Sequence, residues 1–189
     1  GLFAAGEAAC WDMHGFNRLG GNSVAETVVA GMIVGEFIAD FCDKAENGID
    51  IPTSLIYGAL AKEEARLKSF MNNGGSENAY EIRTRMQEIM TTKIGIFRKG
   101  ADMESAVAEL EELYKRSFKV SVKDVVGPNP ELIYAYRTQK MLRVALSVAY
   151  GALNRKESRG AHYREDFPVR NDIEWLNRTI ATWKEGDTL

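Results

Sequence analysis

Pro128-Asn129-Pro130-Glu131-Leu132-Ile133-Tyr134-Ala135-Tyr136 opens the stretch that decides the fold, and the stretch runs on to Arg155. Proline is tolerated in the first turn of a helix because its missing amide would have no intrahelical partner there. Beyond it Leu132, Tyr136, Leu142, Leu146, Ala149 and Leu153 recur at helical spacing, so the sequence predicts a long helix over about 130–155 with one face turned inward. Such a stripe must be buried against others. The chain supplies them: Ile82, Met86, Ile89 and Met90 over about 77–94, and Met103, Val107, Leu110 and Tyr114 over about 101–118, the latter with a wet opposite face at Glu109, Glu111, Glu112 and Lys115. A further helix starts at Ile51-Pro52-Thr53-Ser54, carries Ile56, Leu60, Leu67 and Phe70, and stops at Asn72-Asn73-Gly74-Gly75. Four amphipathic helices joined by short turns predict a mainly α fold with an antiparallel helical bundle over 50–157.

Upstream, Val24, Val28, Val29, Met32, Ile33 and Phe37 mark another helix over about 24–46, with Gly31 and Gly35 one turn apart as a place for close backbone packing. Before it, Gly1-Leu2-Phe3-Ala4-Ala5-Gly6-Glu7 reads as a short apolar strand entering a turn. A lone strand cannot pair its backbone, so we expect residue 1 to be an interior point of a longer protein. Downstream of the bundle, Glu157 to Asp166 is loop-like and dense in charge, and Asn177 to Trp183 alternates as a strand would.

Composition narrows the function. The 189 residues allow one domain plus a piece of another. A hydrophobic share of 45% with 27% charged residues suits a soluble globular chain, and the formal net charge of -3 gives no basic field for nucleic acid. The longest apolar run, Val28 to Gly35, is less than half of the roughly 20 residues a spanning helix needs. Cys10 and Cys42 form no C-x-x-C pair and only His14 and His162 are present, so no structural zinc site is expected; both thiols read as small buried hydrophobes of a reducing compartment.

Two segments carry possible chemistry. His14-Gly15-Phe16-Asn17-Arg18-Leu19-Gly20-Gly21-Asn22-Ser23-Val24 combines small residues, Asn and Ser as helix caps, a helix start whose amides point outward, and a guanidinium whose fork matches a carboxylate. That is an anion site, or else an ordinary capped helix with a surface arginine. In Glu157-Ser158-Arg159-Gly160-Ala161-His162-Tyr163-Arg164-Glu165-Asp166, the side chains of Arg159, His162 and Arg164 could bind an anion, but a mixed-charge loop after a helix is more often a docking or domain-contact element. No G-x-G-x-x-G occurs, so a complete dinucleotide fingerprint is absent from the sequence.

In order and spacing, the 1–7, 14–23 and 157–166 segments closely resemble the flavoprotein subunit of fumarate reductase and succinate dehydrogenase. The resemblance implies that residues 1–46 are the C-terminal remnant of an FAD-binding α/β domain, its last strand-turn-helix. It further implies that 50–157 form a three-helix-type domain with a helix leading into it, and that 158–189 begin a C-terminal extension. By the same resemblance Glu7 binds the FAD ribose. Arg18 clamps a carboxylate of fumarate or succinate with the amide of Gly21, and Leu19, Gly20, Asn22, Ser23 and Val24 approach the flavin. Phe16 departs from the Ala of many relatives.

No catalytic residue of the family falls within the chain, so the isolated fragment is expected to be inactive and to bind FAD poorly. The implied partners are an iron-sulfur subunit and a membrane-anchor subunit of an anaerobic respiratory complex, placing the protein at the cytoplasmic side of the inner membrane without a span of its own. L-aspartate oxidase shares the architecture but usually has Met-Ala-Ser where this chain has Leu19-Gly20-Gly21. A non-catalytic helical docking module is the remaining alternative.

Overall fold

A computed structural model of the chain describes residues 2–9, 12–15, 18–45 and 51–182. They divide into two compact units, Gly1–Tyr57 and Gly58–Leu189.

The second unit holds the bundle. Its helices are α3 (Ala79–Lys93), α4 (Gly100–Ser117) and α5 (Pro130–Asn154). Asn78 caps α3 by accepting from the Tyr80 amide at 2.8 Å, and Asn129 caps α5 by accepting from the Leu132 amide at 3.1 Å, with Pro130 at the permitted first position. Cross-helix pairs give the directions: Arg116 of α4 binds Glu77 just ahead of α3, Arg85 binds Glu109, and Lys93 donates to Ser105, so α4 runs antiparallel to α3. Tyr80 and Tyr134, each in the first turns of its helix, stack at 3.9 Å, which sets α5 alongside α3 in the same sense. The core between them is made by Ile82, Ile89, Met103, Leu110, Leu142 and Leu146, each at most 1% exposed. These are positions the helical period predicts. At about 25 cal/mol per Å2 of apolar surface removed from water, stripes of this kind are the main stabilising term of the unit.

α2 (Thr53–Ser69) departs from expectation. It forms as a helix but has no buried residue, and Ile56 and Leu60 are exposed, so the bundle has three helices, not the four that periodicity predicts, in keeping with the three-helix-type domain and leading helix that the resemblance implies. Three stripes already close on one another, and only the end of the fourth segment, Phe70, reaches the core. The chain after α2 is laced to the segment after α4: the Val122 amide donates to the Phe70 carbonyl at 2.7 Å, the Asn72 amide to the Val122 carbonyl at 3.1 Å, and Asn73 Nδ2 to the Val120 carbonyl at 2.9 Å.

In the first unit, α1 (Asn22–Lys44) is a 23-residue helix preceded by short 3-10 turns at Gly6–Ala9 and Asp12–His14. The strand expected over residues 1–5 does not form among the described residues, because no strand stands beside 2–5 to pair it. Gly31 and Gly35 also differ from expectation: a Cβ at either would meet nothing within 4 Å. Cys42, expected to be buried, is exposed; Cys10 lies outside the described residues.

The strand-like alternation over 177–183 likewise fails, the described part through Thr182 having no regular structure after the short α6 (Asp172–Trp175). A two-residue parallel pair, β1 (Phe97–Arg98) with β2 (Tyr163–Arg164), ties the α3–α4 turn to the charged loop after α5. No helix among the described residues is long and apolar enough to cross a membrane.

Candidate functional site

Gly21 is the N-cap of α1, with a left-handed φ of 82° that suits glycine. The Asn22 amide donates to the Leu19 carbonyl at 3.2 Å, closing the turn into the helix. Asn22 and Ser23 stand inside the first turn and no side chain caps it, contrary to the capping role expected of them. The glycine takes the cap position itself. The first-turn amides therefore remain without intrahelical acceptors and carry the positive end of the helix dipole.

The remaining expected residues gather at this tip. Leu19 and Val24 are exposed, Ser23 is half-buried, and Gly20 and Gly21 have open space where a side chain would be. Arg18 Nη1 lies 3.6 Å from Glu7 Oε2. These are the two side chains for which the resemblance implies different ligand groups, and here they face each other. Both are solvent-exposed, and exposed pairs of this kind contribute little, so a bound anion can compete for the guanidinium. Phe16 and Asn17 lie outside the described residues.

Sequence reasoning missed Glu26. It is buried on α1 with Oε2 3.9 Å from His14 Nε2, and both line a cavity of about 490 Å3 with Met13, Val29 and Ile33. The available signal was a lone acid on the apolar stripe that passes through Ala25, Val29 and Ile33.

The second candidate segment is consumed by its own contacts. Glu157 is fully buried and accepts from Arg155 Nη1 at 2.5 Å, Arg159 Nε at 2.8 Å and the Asn171 amide at 2.9 Å. The Arg159 hydrogen bond, followed by the Asn171 amide and Arg155, outweighs burial and holds the Glu157 carboxyl down at about 2. Arg159 also binds Asp172 at 2.6 Å.

Arg164, 2% exposed, grips Asp166 with two nitrogens at 2.8 and 2.7 Å and donates to the Ala152, Leu153 and Arg155 carbonyls at the end of α5. A cation there complements the negative end of the helix. His162 Nδ1 faces Arg98 Nη1 at 2.6 Å while Nε2 meets the Arg155 carbonyl at 3.0 Å, which makes Nδ1 the acceptor and Nε2 the protonated nitrogen. Burial, aided by the charges of Arg98 and Arg164, pushes this imidazole below its ordinary value. Arg159, His162 and Arg164 thus act as internal braces of the second unit, neither holding an anion nor reaching another domain through these contacts. No cluster able to hold a metal ion occurs among the described residues.

A family model described as fumarate reductase flavoprotein C-term matches residues 83–189, and one described as FAD binding domain matches 1–24. The chain is 53% identical over 188 residues to the fumarate reductase flavoprotein subunit of Helicobacter pylori, covering 99% of this chain and 26% of the relative. It is 36% identical to the succinate dehydrogenase flavoprotein subunit of Bacillus subtilis, covering 96% of this chain and 31% of that protein. A solved E. coli quinol fumarate reductase FrdA chain superposes with a TM-score of 0.81 at 38% identity, covering 93% of this chain and 30% of that one. The chain thus spans between a quarter and a third of the length of these relatives. Most of its three-helix core and all of the braced loop after α5 fall within the matched 83–189, and the chain belongs to the fumarate reductase flavoprotein C-terminal family.

Proposed function

We propose that the chain is the C-terminal part of a fumarate reductase flavoprotein subunit, and that the intact protein reduces fumarate to succinate, or runs the reverse, with FAD. Residues 1–46 then complete the FAD-binding domain, 50–157 are the helical domain, and 158–189 begin the C-terminal extension. The observation that carries the reading is the placement of Arg18 just ahead of an uncapped, glycine-lined start of α1, within the stretch that resembles an FAD-binding domain.

The donor set fits an anionic cofactor edge and a small diacid. Open space at Gly20 and Gly21 admits close approach, first-turn amides supply donors, and the guanidinium supplies a carboxylate fork. The bound flavin supplies the hydride and electron chemistry. Arg18 and the Gly21 amide hold the diacid by one carboxylate and so fix the orientation of its central carbon–carbon bond. Asn22, Ser23 and Val24 present backbone to the ring, and Glu7 accepts from the ribose. Fixing the reacting atoms in one geometry is worth several orders of magnitude in rate. The resemblance supports an iron-sulfur subunit and a membrane-anchor subunit as partners, with the protein held peripherally at the cytoplasmic face.

The test is Arg18→Ala in the full-length enzyme. Fumarate reduction should fall by about 10^2-fold or more, the loss typical of a removed charge-stabilising donor, while flavin absorbance stays at the parent level. Undiminished turnover would count decisively against the assignment.

A further inference from the structure

Gly6 is the buried residue of the 3-10 turn Gly6–Ala9, and its φ of 63° lies in the left-handed region. What buries it is α1. A Cβ at this position would lie 3.1 Å from Thr27 Oγ1, 3.2 Å from Thr27 Cα and 3.3 Å from Thr27 Cγ2. Two separate demands, backbone conformation and space, thus fall on one glycine. The threonine side chain could turn aside, but Thr27 Cα belongs to the helix backbone and yields only if α1 or the turn moves.

The contact is the middle one of three that lay this segment along α1. Phe3 meets Phe41 in the last turn of the helix, edge-on, with ring centroids 5.4 Å apart. Gly6 meets Thr27 in the second turn, and Glu7, the next residue, has Oε2 3.6 Å from Arg18 Nη1, just ahead of the helix start. Residues 3–7 therefore run down α1 toward its tip. The outer contacts join side chains, one aromatic pair and one exposed ion pair, and each tolerates a small shift. The middle one brings backbone onto backbone and so sets the register. We propose that Gly6 and Thr27 are positioning residues: the missing Cβ lets the turn seat on α1 at the depth that puts the Glu7 carboxylate beside the helix tip, where it accepts from the FAD ribose. This rests on the reading of Glu7 given above.

The experiment uses the full-length flavoprotein produced without flavin and titrated with FAD, binding being followed by quenching of flavin fluorescence. Glu7→Ala should weaken FAD binding by about 10- to 100-fold, the worth of a hydrogen bond to a charged acceptor. Gly6→Asn should weaken it by a similar factor, because asparagine accepts the left-handed φ yet adds the Cβ that meets Thr27. Thr27→Ala removes Oγ1 and Cγ2, so placed on Gly6→Asn it should recover part of the loss. Because the contact acts through the carboxylate, Gly6→Asn placed on Glu7→Ala should cost nothing further.

Parent-level FAD affinity in Gly6→Asn alongside weakened binding in Glu7→Ala overturns the positioning role and leaves the assigned function standing. A loss in Gly6→Asn that Thr27→Ala leaves untouched overturns it too, as does one that adds in full to that of Glu7→Ala, since either makes the glycine a folding element. Parent-level binding in Glu7→Ala removes the ribose assignment and this inference together, while fumarate turnover in Arg18→Ala still judges the assigned function by itself.

Discussion

Glu157 and Arg18 are both charged residues in polar-looking segments, yet the structure uses them in opposite ways. Glu157 is fully buried beneath two arginines and a backbone amide, whereas Arg18 keeps its guanidinium in reach of solvent. Removing one partner of a buried charge network strands the others, so Glu157→Ala should destabilise the second unit by roughly 3–5 kcal/mol in chemical denaturation.

The pH dependence follows from the depressed carboxyl. Its folded value near 2 lies below the ordinary 4.5, so its contribution is complete above about 4.5 and disappears as the pH falls toward 2. Glu157→Ala should accordingly flatten the acid limb of the stability profile in that window, and an unchanged limb would show that the carboxylate is not ionised in the fold. Sequence alone could name Arg159, His162 and Arg164 as cationic or basic groups, but only three-dimensional pairing says whether such groups are already satisfied. Arg98, which faces His162 from the α3–α4 turn, lies 64 positions away in sequence.

At the scale of elements, the five long helices are legible because apolar spacing and stop signals agree. Asn78, Asn129 and Pro130 start helices where their chemistry says they should. The glycines ending α2 read as a stop, but the reason for one of them is tertiary. A Cβ on Gly75 would sit 2.0 Å from the Lys119 carbonyl oxygen, because this turn lies directly against the segment after α4. Gly75→Ala must therefore push two backbone segments apart, and we expect a loss of about 2–3 kcal/mol together with weakened amide protection at Asn72 and Val122. A melting temperature equal to the parent's would contradict that contact. The cap of α1 shows the limit of local reading: Asn and Ser are good capping residues, but Gly21 reaches the left-handed conformation that turns the chain and takes the place from them.

Across the whole molecule, burial separates two kinds of helix. α3, α4 and α5 contribute most of the core, whereas α2 buries no residue and α1 buries only Glu26. Native-state hydrogen exchange of this chain should therefore find its slowest amides in the middle of α4 and α5 and markedly faster exchange along α1 and α2. Equal protection of α1 and α5 would refute this distribution.

The helices, their inward faces in the bundle and the gathering of Arg18, Gly20 and Gly21 at a helix start are legible in the order of residues, since periodicity, glycine and proline act over a few residues. Packing in three dimensions settles which three of the four stripes close the core, that the basic loop after α5 is spent on Glu157, Asp166 and helix-end carbonyls, and that Glu26 lies beside His14. Burial and ion pairing depend on which distant side chains share a volume, and the local pattern around a residue does not encode its neighbours across the fold.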